Sequence, residues 1–345
     1  MIYMDNASTT PLSQSVKQDI INNFDNFGNP SSLYDIGYKS KEIIENARIK
    51  VAKAINAEPE QIIFTSGATE SNNWVANMFD YIYAYPYEHH SITMQNNFRE
   101  IDIILIPLLN SVYSNMMTNN ETGFINNIKD FNKFYWVYGR THSDITQAIG
   151  NIQVDVKDLN VDFASFSGHK FNAPKGVGAL YVKNPNTLFP YHYGGQQENH
   201  FRAGTENILG ISAMGVAIEE AVARIEKKQK HCKELRERFI NNLTNYGLDF
   251  IVNGADMQHI DSILSLSFKN QDSQAMLVQL DMAGICASSG SACNSGDSEP
   301  SETLKWLGVP DDYIYGTLRF SFSLQNTLDE VNEVCYNINK IVKGE

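Results

Sequence analysis

The sequence predicts an α/β fold: a large domain with a mostly parallel central sheet flanked by helices, and a smaller α+β domain. Three observations carry this expectation. Apolar, strand-like runs alternate with stretches of helical spacing, the order that builds parallel sheets. Residues with chemistry to offer cluster in turns after those runs, where open α/β sheets bind ligands. The chain has 345 residues, more than one ordinary core organises, so two domains are expected.

Composition narrows the class. With 42% hydrophobic and 19% charged residues the chain is globular and not disordered. A net charge of −13 argues against general binding to nucleic acid or to a membrane surface. No apolar run approaches the roughly 18 residues of a membrane span. Met1-Ile-Tyr-Met-Asp-Asn lacks the basic and then apolar pattern of a secretory leader. Cys232, Cys286, Cys293 and Cys335 are too scattered for a disulfide framework or a zinc module. A cytoplasmic protein with reduced thiols and no metal is expected.

Taken in order, Asp5-Asn-Ala-Ser-Thr-Thr-Pro11 reads as a strand end running into a turn, followed by a helix near 13–24. Phe27-Gly-Asn-Pro-Ser-Ser32 is a loop dense in turn formers, and helical spacing returns from Gly37 to about Ala54. Gln61-Ile-Ile-Phe-Thr-Ser-Gly-Ala-Thr-Glu70 reads as a strand handing over to a helix through a Ser-Gly turn. That arrangement aims backbone amides at one point, an anion site or a bare helix cap. An aromatic strand precedes Glu88-His89-His90, and 101–109 reads as a buried strand. Asn119-Asn-Glu-Thr-Gly123 reads as a loop, and 131–138 suits either strand or helix. Next come Asp144 and Gln147, a strand at 161–166, and a long helical pattern over 208–246 that is broken once. Strands near 262–268 and 317–323 and a final helix near 328–342 complete the chain. The expected division is 12–246 for the large domain and 1–11 with 247–345 for the small one.

The most informative stretch is Ser165-Phe-Ser-Gly-His-Lys170. A lysine in a turn between two buried strands must be paired or lose its charge. Ser167, Gly168 and His169 beside it are groups that hold a phosphate, while an amine of lowered pKa forms a Schiff base with an aldehyde. Pyridoxal phosphate requires both.

With that chemistry in view, the chain resembles the NifS/IscS-type cysteine desulfurases of the class V aminotransferase superfamily, pyridoxal phosphate fold-type I. The resemblance rests on Asp5-Asn-Ala-Ser-Thr-Thr-Pro, Phe27-Gly-Asn-Pro-Ser-Ser, Phe64-Thr-Ser-Gly-Ala-Thr-Glu-Ser-Asn and Asn119-Asn-Glu-Thr-Gly. It rests equally on Ser165-Phe-Ser-Gly-His-Lys, Arg202-Ala-Gly-Thr-Glu-Asn, Ser288-Ser-Gly-Ser-Ala-Cys and Glu299-Pro-Ser. It implies that Lys170 holds the cofactor, that Asp144 faces its ring nitrogen, and that His89 stacks on the ring and moves protons. Gln147 would bond the phenolic oxygen. Ala68, Thr69, Ser167 and His169 would cradle the phosphate, with Thr205 reaching in from the partner of a homodimer. Asn120 would lie at cofactor and substrate, and Asn29 and Arg319 would suit the carboxylate of L-cysteine. Cys293 would be the nucleophile that takes the substrate sulfur as a persulfide and passes it to an acceptor protein. The other readings are a selenocysteine lyase or another class V enzyme, or a homologue without catalysis. The Ser- and Gly-rich setting of Cys293 favours desulfuration, whereas the other three cysteines lie in apolar or helical settings. Two departures from the family stand out. The segment between His90 and Asn119 is short, and Gly139-Arg-Thr-His-Ser before Asp144 is polar where relatives carry an apolar strand.

Overall fold

A computed structural model describes residues 1–101, 110–289 and 300–344. Its strands, in chain order, are β1 (Ile2–Tyr3), β2 (Ile62–Thr65), β3 (Tyr81–Ala84), β4 (Phe98–Glu100), β5 (Ser111–Ser114) and β6 (Arg140–Asp144). They continue with β7 (Phe163–Ser167), β8 (Gly178–Val182), β9 (Phe250–Val252), β10 (Ile263–Phe268), β11 (Ile285–Cys286) and β12 (Thr317–Ser321). The chain divides into two compact units, Thr10–Met117 with Asn127–Arg224, and Met1–Thr9 with Thr118–Asn126 and Ile225–Glu345.

The larger unit carries a seven-stranded sheet in the order β2-β8-β7-β6-β5-β3-β4. The pairs from β7 through β4 are parallel, and β8 lies antiparallel to both β7 and β2. β2, β5, β7 and β8 are buried along their whole length, which is why they read as continuous apolar or small-residue runs. The helix Gln14–Asn23 starts where Ser13 accepts a hydrogen bond from the Val16 amide. The helix Asp35–Ala54 turns Ile44, Ala47 and Val51 into the core shared with Ile211, Met214 and Ile218 of helix Ile208–Ala223. The ambiguous 131–138 stretch is mostly helix, Ile128–Tyr135, capped by Asn127.

The polar run before Asp144 is nonetheless a strand, and a central one. β6 lies between β5 and β7, and its polar side chains are satisfied inside the sheet. The Thr141 amide donates to Asp162 at 2.9 Å, the Ser143 hydroxyl donates to the Asn115 carbonyl at 2.8 Å, and His142 lies between two serines. Hydrogen bonding replaces apolar burial here, so hydrophobic pattern alone misses the strand.

The smaller unit holds the antiparallel sheet β12-β10-β9 and the parallel pair β1-β11. Helices Ile225–Asn245, Ser273–Met282 and Leu328–Lys343 contribute to its core with Leu235, Phe239, Met276, Val334 and Ile338. Thr327 and Glu330 form a reciprocal capping box at the start of the last helix. The sequence reading divides the domains after residue 246. The compact units instead part at Arg224/Ile225, the break between helices Ile208–Ala223 and Ile225–Asn245, and Thr118–Asn126 joins the smaller unit. The single break expected in the helical pattern over 208–246 falls at this point, at Arg224. Among the described residues no helix is long and apolar enough to cross a membrane.

Candidate active site

In the larger unit the site is built at the ends of β2, β6 and β7. Lys170 ends a single 3-10 turn, Gly168–Lys170, directly after β7. Thr10 holds that turn: its amide and hydroxyl both donate to the His169 carbonyl, at 2.9 and 2.8 Å. Beside it, β2 passes through Ser66-Gly67 into helix Ala68–Asn77. A side chain at Gly178 of β8 would place its Cβ only 2.6 Å from the Gly67 Cα, so the close approach requires glycine. The approach brings the helix start to β7, where the Ala68 amide donates to the Ser167 hydroxyl at 2.7 Å. First-turn amides lack intrahelical acceptors, and the helix dipole adds positive potential. With Ser167 and the exposed Thr69 they make a cradle for an anion. His169 is held well below its usual range, at about 4, by burial and by the nearby Lys170 and Lys175.

Asp144 ends β6 and is buried. One carboxylate oxygen accepts from the Thr146 amide at 2.9 Å and the other from Asn72 Nδ2 at 2.8 Å. These charge-assisted bonds fix the carboxylate's orientation. His89 caps the short helix His90–Thr93, and its Nδ1 accepts from the Ser91 amide at 3.1 Å. Burial lowers the His89 pKa, with Asp144 opposing and Lys170 and His90 adding to the effect, so these side chains share one neighbourhood. Gln147 is buried in the turn after β6, where its carbonyl accepts from Asn151.

Behind Asp144 lies a layer of buried polar groups. Ser114 donates to Glu88 at 3.2 Å, His142 Nδ1 and Ser114 Oγ are 2.9 Å apart, and His142 Nε2 and Ser165 Oγ are also 2.9 Å apart. Burial, reinforced by Asp144, pushes the Glu88 carboxyl up to about 8, and burial takes His142 down to about 4. The signs of the two effects on stability are opposite. Between about pH 4 and 6.5 the folded protein keeps His142 and His169 neutral while the unfolded chain binds those protons, so stability rises with pH. Between its ordinary value and about 8, Glu88 is protonated only in the fold, so stability falls as pH rises, by about 1.4 kcal/mol per pH unit. Stability should therefore peak near pH 6.5. Glu88→Gln should abolish the decline between about pH 6.5 and 8 in urea titrations. An unchanged decline in that variant would show that another group causes it.

Asn120 and Arg319 belong to the smaller unit. The loop that holds Asn120 is shaped by Asn119, whose side-chain oxygen accepts from the amides of Glu121 and Thr122. Gly123 closes it at φ 79°, in the left-handed region. Arg319 is 1% exposed on β12. Its guanidinium donates to the Asn120 carbonyl at 2.9 Å, to Asp5 at 2.8 Å and to Ser8 at 2.6 Å. Both faces of β12 are covered, since all five of its residues are buried. Cys293 lies outside the described residues. The described ends of its segment are anchored on the same unit. Ser288 exchanges backbone hydrogen bonds with Arg319, at 3.2 and 2.6 Å. Ser301, which caps helix Glu302–Trp306, donates to Glu121 at 2.5 Å.

Asn29 is exposed and accepts from the Ser31 amide, and Thr205 is exposed in the segment before helix Ile208–Ala223. Burial raises the thiols of Cys232 to about 11 and Cys335 to about 12, which suits inert core residues. Asn72, Ser91, Ser114 and His142 were not legible as site residues. The signals were Asn72, the last residue of the Phe64–Asn72 stretch, Ser91, directly after Glu88-His89-His90, and a histidine two residues before Asp144, which on a strand shares its face.

An amine in a strand-end turn, a buried carboxylate held by donors and an anion cradle complement the aldehyde, ring nitrogen and phosphate of pyridoxal phosphate. Fold and donor set thus define a pyridoxal phosphate enzyme of the α/β type, whose cofactor Lys170, Asp144, His89, Gln147, Ser167 and the start of helix Ala68–Asn77 would hold. The family described as Aminotransferase class-V matches residues 2–109 and 109–334. The cysteine desulfurase IscS of Methanosarcina thermophila is 37% identical over 99% of this chain and 92% of its own length. That of Dictyoglomus turgidum is 36% identical over 99% and 94%. Among solved structures, a NifS-like protein superposes with a TM-score of 0.89 at 29% identity, covering all of both chains. The NifS-like protein from Rickettsia africae gives 0.89 at 28%, again covering both chains fully. The chain belongs to the class V aminotransferases and, within them, to the NifS/IscS-type cysteine desulfurases.

Proposed function

We propose that this enzyme moves the sulfur of L-cysteine to Cys293 and releases L-alanine, and that the sulfur then passes to an acceptor serving iron–sulfur cluster assembly or the thiolation of tRNA or other nucleic acid. Bound pyridoxal phosphate supplies an electron sink that loosens the bonds at the Cα of an amino acid joined to it. Lys170 is the amine for its aldehyde and the base for the substrate's Cα proton. Asp144, oriented by Asn72 and Thr146, keeps a proton on the ring nitrogen. The Ala68 and Thr69 end of the helix, with Ser167 and His169, holds the phosphate. Asn29, Asn120 and Arg319 take the substrate carboxylate, and Asp5 fixes the plane of the Arg319 guanidinium.

The Cys293 thiolate attacks the substrate sulfur. An S–S bond forms, the Cβ–S bond breaks, and its electron pair stays with the carbon that becomes the alanine methyl, so no outside oxidant is needed. The proposed site is shared in a homodimer, Thr205 of each chain completing its partner's phosphate cradle. Exposed apolar side chains close together in sequence, Phe24, Phe27 and Leu33, at 72%, 83% and 85% exposure, suit such an interface. Cytoplasmic residence, with reduced thiols, fits this chemistry.

The observation that carries the proposal is the convergence of Lys170, Asp144 and the Ala68–Ser167 cradle in one unit; in the other, Ser288 and Ser301, the described residues that flank the Cys293 stretch, bond to Arg319 and Glu121. Purified protein given pyridoxal phosphate, L-cysteine and a thiol reductant should release alanine and sulfide in equal amounts. Pyruvate in place of alanine would indicate elimination and overturn the proposal.

A further inference from the structure

His89, Ser91, Asn72 and Asp144 form one hydrogen-bonded chain within the larger unit. Asn72 Nδ2 donates to Asp144 Oδ2 at 2.8 Å and to Ser91 Oγ at 2.8 Å. Ser91 Oγ lies 2.8 Å from His89 Nδ1, and the Ser91 amide donates to the same nitrogen at 3.1 Å. Each donor in the chain can be assigned. An amide oxygen turned toward Asp144 would face a carboxylate and repel it, so Asn72 must present its NH2 group there. That orientation is kept although the Asn72 Oδ1 is buried without a hydrogen-bond partner. A buried orphan oxygen opposes the arrangement, and two donated bonds, one to a charged group, outweigh it. Ser91 Oγ accepts from Asn72, which leaves its own proton for His89 Nδ1. The Ser91 backbone amide can only donate, so His89 Nδ1 meets two donors and must be the unprotonated ring nitrogen.

We propose that Asn72 and Ser91 are positioning residues that hold neutral His89 as the tautomer with its proton on Nε2 and couple that choice to the orientation of Asp144. His89 then presents Nε2–H to the site as a hydrogen-bond donor. It does not serve as a base there, because Nε2 already carries the proton and Nδ1 is engaged by the helix cap. This rests on reading Asp144 and His89 as parts of the cofactor site, yet the tautomer itself is a property of this chain.

The test uses full-length protein labelled with 15N-histidine, observed before and after loading with pyridoxal phosphate, with His89 assigned by comparison with His89→Gln. At a pH where His89 is neutral, wild type should show a protonated Nε2 and an unprotonated Nδ1. Ser91→Ala, which keeps the backbone amide but loses the hydroxyl, should shift the tautomer ratio about 3- to 10-fold toward Nδ1–H, the worth of one ordinary hydrogen bond. Asn72→Leu should shift it in the same direction and also move the visible absorbance of the bound cofactor. Ser91→Thr should restore the wild-type pattern. A wild-type His89 protonated on Nδ1 would overturn the proposal whatever the variants do. Identical nitrogen shifts in wild type, Ser91→Ala and Asn72→Leu would overturn the role of Asn72 and Ser91. Neither result bears on whether L-cysteine is turned over, so this inference and the proposed activity fail separately.

Discussion

Lys170→Ala should bind pyridoxal phosphate without the absorbance of a lysine-held cofactor and should lose turnover by at least three orders of magnitude. On the proposed roles, two separate contributions disappear with one side chain: the amine that anchors the aldehyde and the base for the Cα proton. General acid–base catalysis alone is worth about 10²- to 10⁴-fold. The fold should survive, because Lys170 sits at the end of a turn that Thr10 holds through backbone and hydroxyl contacts to His169. Urea midpoints of the variant and wild type should therefore lie close together. Wild-type turnover in Lys170→Ala would remove the lysine from the mechanism. The same variant tests the shared site. When it is mixed with Thr205→Ala and the subunits are allowed to exchange, the mixed dimers should contain one site with both residues intact. Activity in the mixture no greater than in either parent would contradict a contribution of Thr205 across the dimer.

Cys293→Ser should separate the cofactor's chemistry from sulfur transfer. The cofactor-holding residues proposed here, apart from Thr205 and Asn120, come from one chain's larger unit, and Ser288 and Ser301, which flank the Cys293 stretch, belong to the smaller unit. Cofactor absorbance and its change on adding L-cysteine should persist in the variant. Sulfur transfer should fall by three orders of magnitude or more, because a thiolate is available from a pKa of about 8.5 while a serine alkoxide is scarcely populated at neutral pH. Cys232 and Cys335 cannot substitute, since both are buried and their thiols are held up at about 11 and 12.

Much of this architecture was legible in the residues. The hand-over from β2 to helix Ala68–Asn77 was visible because a short apolar run ends in Ser66-Gly67, and the break in the long helical pattern falls at Arg224. Three features were hidden for physical reasons. β6 is buried through hydrogen bonds of Thr141, His142 and Ser143, so its composition resembles a loop. Arg319 reads as the charged side of an alternating strand, yet both sides of β12 are covered, and its charge is met by Asp5, more than 300 residues away in sequence. The chain of Asn72, Ser91 and His89 joins two local elements, and only the tertiary approach of helix Ala68–Asn77 to residues 89–91 brings it together. The apolar stretch expected as a strand at 101–109 lies, beyond Ile101, outside the described residues, as does the Cys293 segment.

The central claim is that Cys293 carries the substrate sulfur, and peptide mass mapping tests it most directly. After a brief incubation of the wild type with L-cysteine, followed by alkylation and digestion, the peptide that holds Cys293 should gain one sulfur, about 32 Da, as a persulfide. Peptides with Cys232, Cys286 and Cys335 should be unchanged, and alanine should appear in step with the added sulfur. Sulfur mapped to another cysteine, or alanine formed as fast by Cys293→Ser, would contradict the account.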